Sequence, residues 1–201
     1  MDKDLFLSVH FETCGLPDIH SPIVLDALLF DIDSNLVDRF YCVIKPYDHF
    51  KWDATADVVH GLTREMVDHV GIDYKTTAAM FNQWIGQYPN PLTLVCWDGN
   101  TTAINGAYFT PNGTQNFLGC DKLPMRNMVD MRQVFTFHML HHGIKASDVK
   151  FRNNMSQVLD KWGEVQDPAL WSVVDFRGVK LPCRSMSHKL YLIFTKMKDA
   201  K

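Results

Sequence analysis

From Leu5 to Phe11 the side chains alternate, with Leu5, Leu7, Val9 and Phe11 on one parity and Phe6, Ser8, His10 and Glu12 on the other. That period of two predicts a β-strand with one face buried. Gly15-Leu16-Pro17 breaks it. A second apolar stretch, 23–32, passes through Asp33-Ser34-Asn35 into a third, 36–44, and two such runs joined by a short polar turn predict a hairpin. Thr63 is placed to cap a short helix beginning Arg64-Glu65-Met66-Val67. Asp73 is placed to cap a longer one, in which Tyr74, Ala78, Phe81 and Ile85 recur at helical spacing.

After Pro89 and Pro91, the nearly continuous apolar run Leu92-Thr93-Leu94-Val95-Cys96-Trp97 predicts a central strand covered on both faces. The stretch 110–124 is rich in turn residues and predicts a long surface loop. Met128-Val129-Asp130 predicts a short strand entering a helix that runs through His142, and further helices are predicted over 153–165 and 186–199. The segment around Trp171, Arg177 and Pro182 carries no assignable pattern. Strands first, then helices and strands interleaved, imply an α/β fold: a central mixed sheet flanked by helices.

Composition narrows the class. A chain of 201 residues with 46% hydrophobic and 21% charged residues has the means to build a core, and one domain over 1–201 is expected. The net charge of −3 is the wrong sign for non-specific grip on phosphate backbones. The basic cluster Arg184, Lys189, Lys196, Lys198 and Lys201 reads as a solvated helix face. Cys14, Cys42, Cys96, Cys120 and Cys183 are odd in number and scattered. No signal-peptide pattern or membrane-length apolar run accompanies them, so reduced thiols and a cytoplasmic location are expected.

The segment Val9-His10-Phe11-Glu12-Thr13-Cys14-Gly15-Leu16 resembles the first motif of the DEDDh-type 3′–5′ exonucleases, where a strand carries Asp-x-Glu-Thr before a Gly-Leu break. Val59-His60-Gly61-Leu62-Thr63 is similar to the family's His-Gly-Ile-Thr element, and Leu94 to Asn100 to the strand and turn of its second motif. Asp130-Met131-Arg132 resembles the Asp-x-Arg of phage and bacterial exoribonucleases related to the T-even phage exonuclease A. Ser187-His188-Lys189-Leu190 stands where the third motif's histidine opens the last helix. The resemblance spans nearly the whole chain in family order and implies a ribonuclease H-like (exonuclease) fold and, by way of the phage relatives, a viral source.

It also implies a chemistry: phosphodiester hydrolysis by two divalent ions held on four carboxylates, with a histidine as general base. Residues 10 and 12 would share a strand face about 6.6 Å apart, but the family's aspartate is here His10, and only Glu12 keeps its identity. Counting from Trp97 and from Asn100, the second motif's aspartate position is Ile104; Asp98 is the substitute within reach. His188 is present, but the aspartate expected five residues later is Ile193. An imidazole is a poor Mg²⁺ ligand and isoleucine is none. The expectation is therefore a catalytically inactive exonuclease-like protein, a pseudoenzyme that binds or regulates. It would retain Glu12 and His188 as remnants, need no cofactor and engage a protein partner. Two alternatives stay open: an active exonuclease on single-stranded DNA or RNA whose rebuilt site holds Mg²⁺, Mn²⁺ or Zn²⁺ on His10, Glu12, His188 and Asp98, and a non-catalytic nucleic-acid-binding module.

Plainer readings stand beside these. Glu12 and His188 are read as a satisfied polar cluster with each other or with His10. His138, His141 and His142 are read as a solvated helix face, and Trp52, Trp84, Trp97, Trp162 and Trp171 as packing residues. Arg132 is read as an ion-pair partner of Asp130.

Overall fold

A computed structural model describes residues 4–15, 21–46, 51–88, 92–97, 127–141, 143, 173–175, 177–181 and 185–199. Strands β1 (Leu5–Thr13), β2 (Pro22–Asp31) and β3 (Leu36–Val43) form an antiparallel meander, and β4 (Thr93–Cys96) and β5 (Asn127–Asp130) add in parallel beyond β1. The sheet order is β3-β2-β1-β4-β5, so β1 is central; it runs on past the end of β4, whose last paired residue, Val95, stands opposite Ser8. The hairpin between β2 and β3 turns at Ser34, whose φ of 67° is left-handed, and the Asp31 carboxylate fixes it by accepting the Asn35 backbone N–H at 2.8 Å.

The period of two in β1 sorts its side chains as expected. Leu7, Val9 and Phe11 pack with Leu25, Phe40 and helix α3 (Tyr74–Ile85), which lays Phe81, Trp84 and Ile85 on that face. Asp73 caps α3 by accepting the Thr76 N–H, and Thr63 caps α2 (Arg64–Val70) by accepting that of Met66. Trp84 and Tyr88 both donate to the Asp38 carboxylate, tying the end of α3 to β3.

The opposite face carries α4 (Met131–His141) and α5 (Met186–Asp199). Phe30, Val95, Trp97, Met131, Phe135, Leu190 and Ile193 are buried together there. Trp84 and Trp97 are packing residues, as read from sequence. A small hairpin, β6 (Val173–Val174) with β7 (Lys180–Leu181), closes the molecule against α2 through Val173, Leu181, Leu62 and Val67. Asp175 organises its turn by accepting the N–H groups of Arg177 and Val179.

One helix and one side chain differ from the sequence reading. Helix α1 (Ala54–His60) lacks apolar periodicity but has firm ends: Asp53 accepts the Thr55 N–H, and Gly61 closes the helix at φ 82°. Lys189 is not part of a solvated face but 3% exposed. It lies between Met186 and Ile193 at spacings of three and four, which turns it towards the sheet with them. Asp98, Ile104, the 110–124 loop, His142, the 153–165 helix, Trp162 and Trp171 lie outside the described residues.

Candidate functional site

The polar parity of β1 ends in His10 and Glu12. Both side chains are mostly buried, at 19% and 13% exposure, with His10 Nε2 standing 3.4 Å from Glu12 Oε1. Burial alone would raise the Glu12 carboxyl. The hydrogen bond and charge of His10, with the charges of His60 and Lys189, outweigh it and hold the carboxyl below its ordinary value. Glu12 is therefore held as a carboxylate, with His10 against it.

Lys189 is brought there by an arrangement that begins at Asp26 on β2. Asp26 is the cross-strand partner of His10 and is 1% exposed. Its Oδ2 accepts Ser185 Oγ–H at 2.8 Å and the Ser187 backbone N–H at 3.0 Å, and its own carbonyl accepts Ser187 Oγ–H at 2.7 Å. Arg39 approaches its other oxygen at 3.5 Å. The first turn of α5 is thereby fixed to the middle of the sheet, next to His10. His188, in that turn, donates its N–H to Ser185 Oγ at 3.0 Å and packs its ring on Tyr191.

Beyond Glu12 the chain bulges between Glu12 and Thr13, and the Asp53 N–H bonds to the Cys14 carbonyl at 2.8 Å. The end of β1 is thus joined to the start of α1. Between them lies a cavity of about 170 Å³ lined by Glu12, Thr13, Gly15, Asp53, Thr55, Ala56, Val59 and His60. His60 is 1% exposed, and its Nδ1 accepts the Leu62 N–H at 3.1 Å, so the proton of the neutral ring sits on Nε2. Nε2 has no hydrogen-bond partner. Burial lowers the His60 pKa, against the opposing charges of Glu12 and Asp57.

A pH dependence follows. Because the folded pKa of His60 lies below its unfolded value, the unfolded chain binds the extra proton. Stability is then fully present above the unfolded value, about 6.5, and falls as pH drops through it towards the folded pKa. In His60→Gln, urea midpoints measured between pH 5 and 8 are expected to lose part of the acid-side decline.

The sequence-derived site is assembled only in part. His10 and Glu12 converge, but His188 is not gathered with them: among the described residues, no group of three or more His, Cys, Asp or Glu side chains is placed to hold a metal ion. Ile193 is 0% exposed in the apolar cluster. A paired carboxylate, an imidazole, an isoleucine and a nearby lysine do not suit a pair of hard dications, which require several oxygen donors. His138 is half-buried on α4, whereas His141 is exposed and stacks on Phe137. Asp130 accepts the Arg132 backbone N–H at 3.0 Å. Asp26 belongs to no motif, and Lys189 reads from sequence as part of a solvated helix face. The signal for Asp26 was a lone carboxylate inside the apolar run Ile23 to Phe30, where a charge is tolerated only with partners.

No family model and no curated protein matches the chain. Solved structures do. E. coli exonuclease I in complex with an oligonucleotide superposes with a TM-score of 0.67 at 15% identity, over 100% of this chain and 42% of that one. The cell-death related nuclease 4 (CRN-4) superposes with a TM-score of 0.68 at 14% identity, over 98% of this chain and 64% of that one. The protein therefore has the ribonuclease H-like fold of these exonucleases and spans less than two thirds of either chain. Among the described residues, no helix is long and apolar enough to cross a membrane.

Proposed function

We propose that this protein is a catalytically silent member of the exonuclease fold that acts by binding a protein partner. The observation that carries this reading is the His10–Glu12 pair. The one carboxylate of the first motif that remains is engaged at 3.4 Å by the residue replacing its neighbour. Lys189, buried nearby, adds positive charge where two metal ions would otherwise supply it. Each charged ligand removed from such a centre costs several kcal/mol of transition-state stabilisation. A site with His10 and Ile193 in place of carboxylates has little left for turnover.

Purified protein is expected to leave 5′-labelled single-stranded DNA and RNA intact with Mg²⁺ or Mn²⁺. Metal-dependent degradation that disappears in Glu12→Ala would overturn the proposal. The same close approach of His10 and Glu12 favours a second reading, a rebuilt single-ion site for Mn²⁺ or Zn²⁺. Calorimetric titration separates the two: binding weakened by His10→Ala would favour the rebuilt site, and its absence would remove it.

A further inference from the structure

We infer that the outer face of α4 is the contact surface of a homodimer, in which two copies of this chain lie antiparallel along that helix with Phe137 of one against Phe137 of the other. The inference goes beyond the silent cleft and does not depend on it, since α4 could carry the same contact in an active nuclease.

A helix lying on a sheet needs one apolar side, and α4 has two. Met131 and Phe135 are buried on the inner side. On the outer side Phe137 is 71% exposed, with Val134 and Leu140 exposed beside it, and Met128 of β5 is exposed just before the helix. His141 stacks its ring on Phe137 with the centroids 6.3 Å apart, which widens the flat surface there. Single exposed apolar side chains are ordinary, but several gathered on one face mark a contact surface.

Two properties of that face point to a second copy as its occupant. The first is charge. The exposed residues of α4 are Gln133, Val134, Phe137, Leu140 and His141, with no carboxylate, lysine or arginine among them. At a net charge of −3, two copies repel wherever their carboxylates meet, and this face lets them approach without that repulsion. In an antiparallel pair, the partial positive N-terminus of each α4 also stands beside the partial negative C-terminus of the other.

The second property is symmetry. Val134 and Leu140 lie three residues before and after Phe137, and Gln133 and His141 lie four before and after it. Such a stripe has the same spacing in both directions, as a two-fold contact requires: Phe137 meets its own copy, and Val134 comes level with Leu140. The helix has 11 residues and is about 16 Å long. It offers less than the roughly 800 Å² per partner of a standard interface, so association at micromolar rather than nanomolar concentration is expected.

The test is sedimentation velocity of the full chain over a concentration series spanning the micromolar range. A reversible dimer is expected, and Phe137→Asp is expected to weaken it at least about thirtyfold, the scale of a hot-spot side chain. Because Phe137 is mostly exposed, that variant should keep the circular dichroism of the parent protein. Disulfide trapping reads the orientation. Phe137→Cys should crosslink into a dimer under mild oxidation, with the parent chain treated alike to control for its own cysteines. Val134→Cys should not, because antiparallel symmetry sets its two copies about 9 Å apart along the helix, beyond the reach of a disulfide. A chain that stays monomeric throughout, association unchanged in Phe137→Asp, or Val134→Cys crosslinking as readily as Phe137→Cys would overturn the inference. Nuclease assays bear on the cleft alone, so either reading can fail without the other.

Discussion

Asp26→Ala is expected to lower the free energy of unfolding by about 3 kcal/mol and to loosen α5 more than any other helix. The carboxylate is 1% exposed and serves Ser185 Oγ, the Ser187 N–H and the Arg39 guanidinium. Removing it leaves the two donors without that acceptor and a guanidinium with one counter-charge fewer. Losing one partner of a buried charged pair costs about 3–5 kcal/mol. The lower end applies because the Arg39 side chain is 23% exposed and water screens part of its charge. Asp26→Asn keeps the shape and one acceptor oxygen and should cost less. Chemical denaturation gives the magnitude, and amide exchange along 186–199 gives the location. A loss below about 1 kcal/mol, or exchange that rises evenly over the protein, would show that α5 is held by its apolar face alone.

The fold was legible because its strands and helices obey local rules. Period two in β1, the short turn of the β2–β3 hairpin, the doubly buried β4 and the caps Thr63 and Asp73 each agree with the tertiary structure. Helix α1 escaped because its four apolar positions, Ala54, Ala56, Val58 and Val59, share no stripe; only Asp53 and Gly61 mark it. The β6–β7 hairpin escaped because two-residue strands have no period, and Asp175 holds its turn through bonds that composition does not reveal. The site was legible where it lay on a strand. The parity of β1 alone puts His10 and Glu12 on one face, and the structure brings them to 3.4 Å. It was opaque where a side chain's environment comes from another element. Lys189 looks like one more surface lysine until α5 is seated on Asp26, and His60 looks like a motif residue until Leu62 fixes its tautomer.

Ile193→Asp, which would restore the third motif's carboxylate, is expected to destabilise the protein by about 4 kcal/mol or more at neutral pH and to bring no metal affinity. Ile193 is 0% exposed among Phe30, Val95, Trp97, Met131, Phe135 and Leu190, so the substitution both removes packing and buries a charge in apolar surroundings. Such an aspartate would have its folded pKa raised above the unfolded value of about 3.9. The sign then follows: the charge penalty vanishes below about pH 4, where the carboxyl is neutral in both states. It grows as pH rises and is complete above the folded pKa. The cavity cost remains at every pH. Denaturation midpoints at pH 3.5 and pH 7, each against the parent protein, should therefore differ, with the larger deficit at pH 7. Adding Mn²⁺ should recover none of it, because binding to the folded state would stabilise by mass action. Full stability together with new Mn²⁺ binding would mean that position 193 opens onto Glu12, leaving one substitution between this cleft and a metal centre. The expected outcome is the opposite one, in which the apolar cluster has absorbed position 193 into the core.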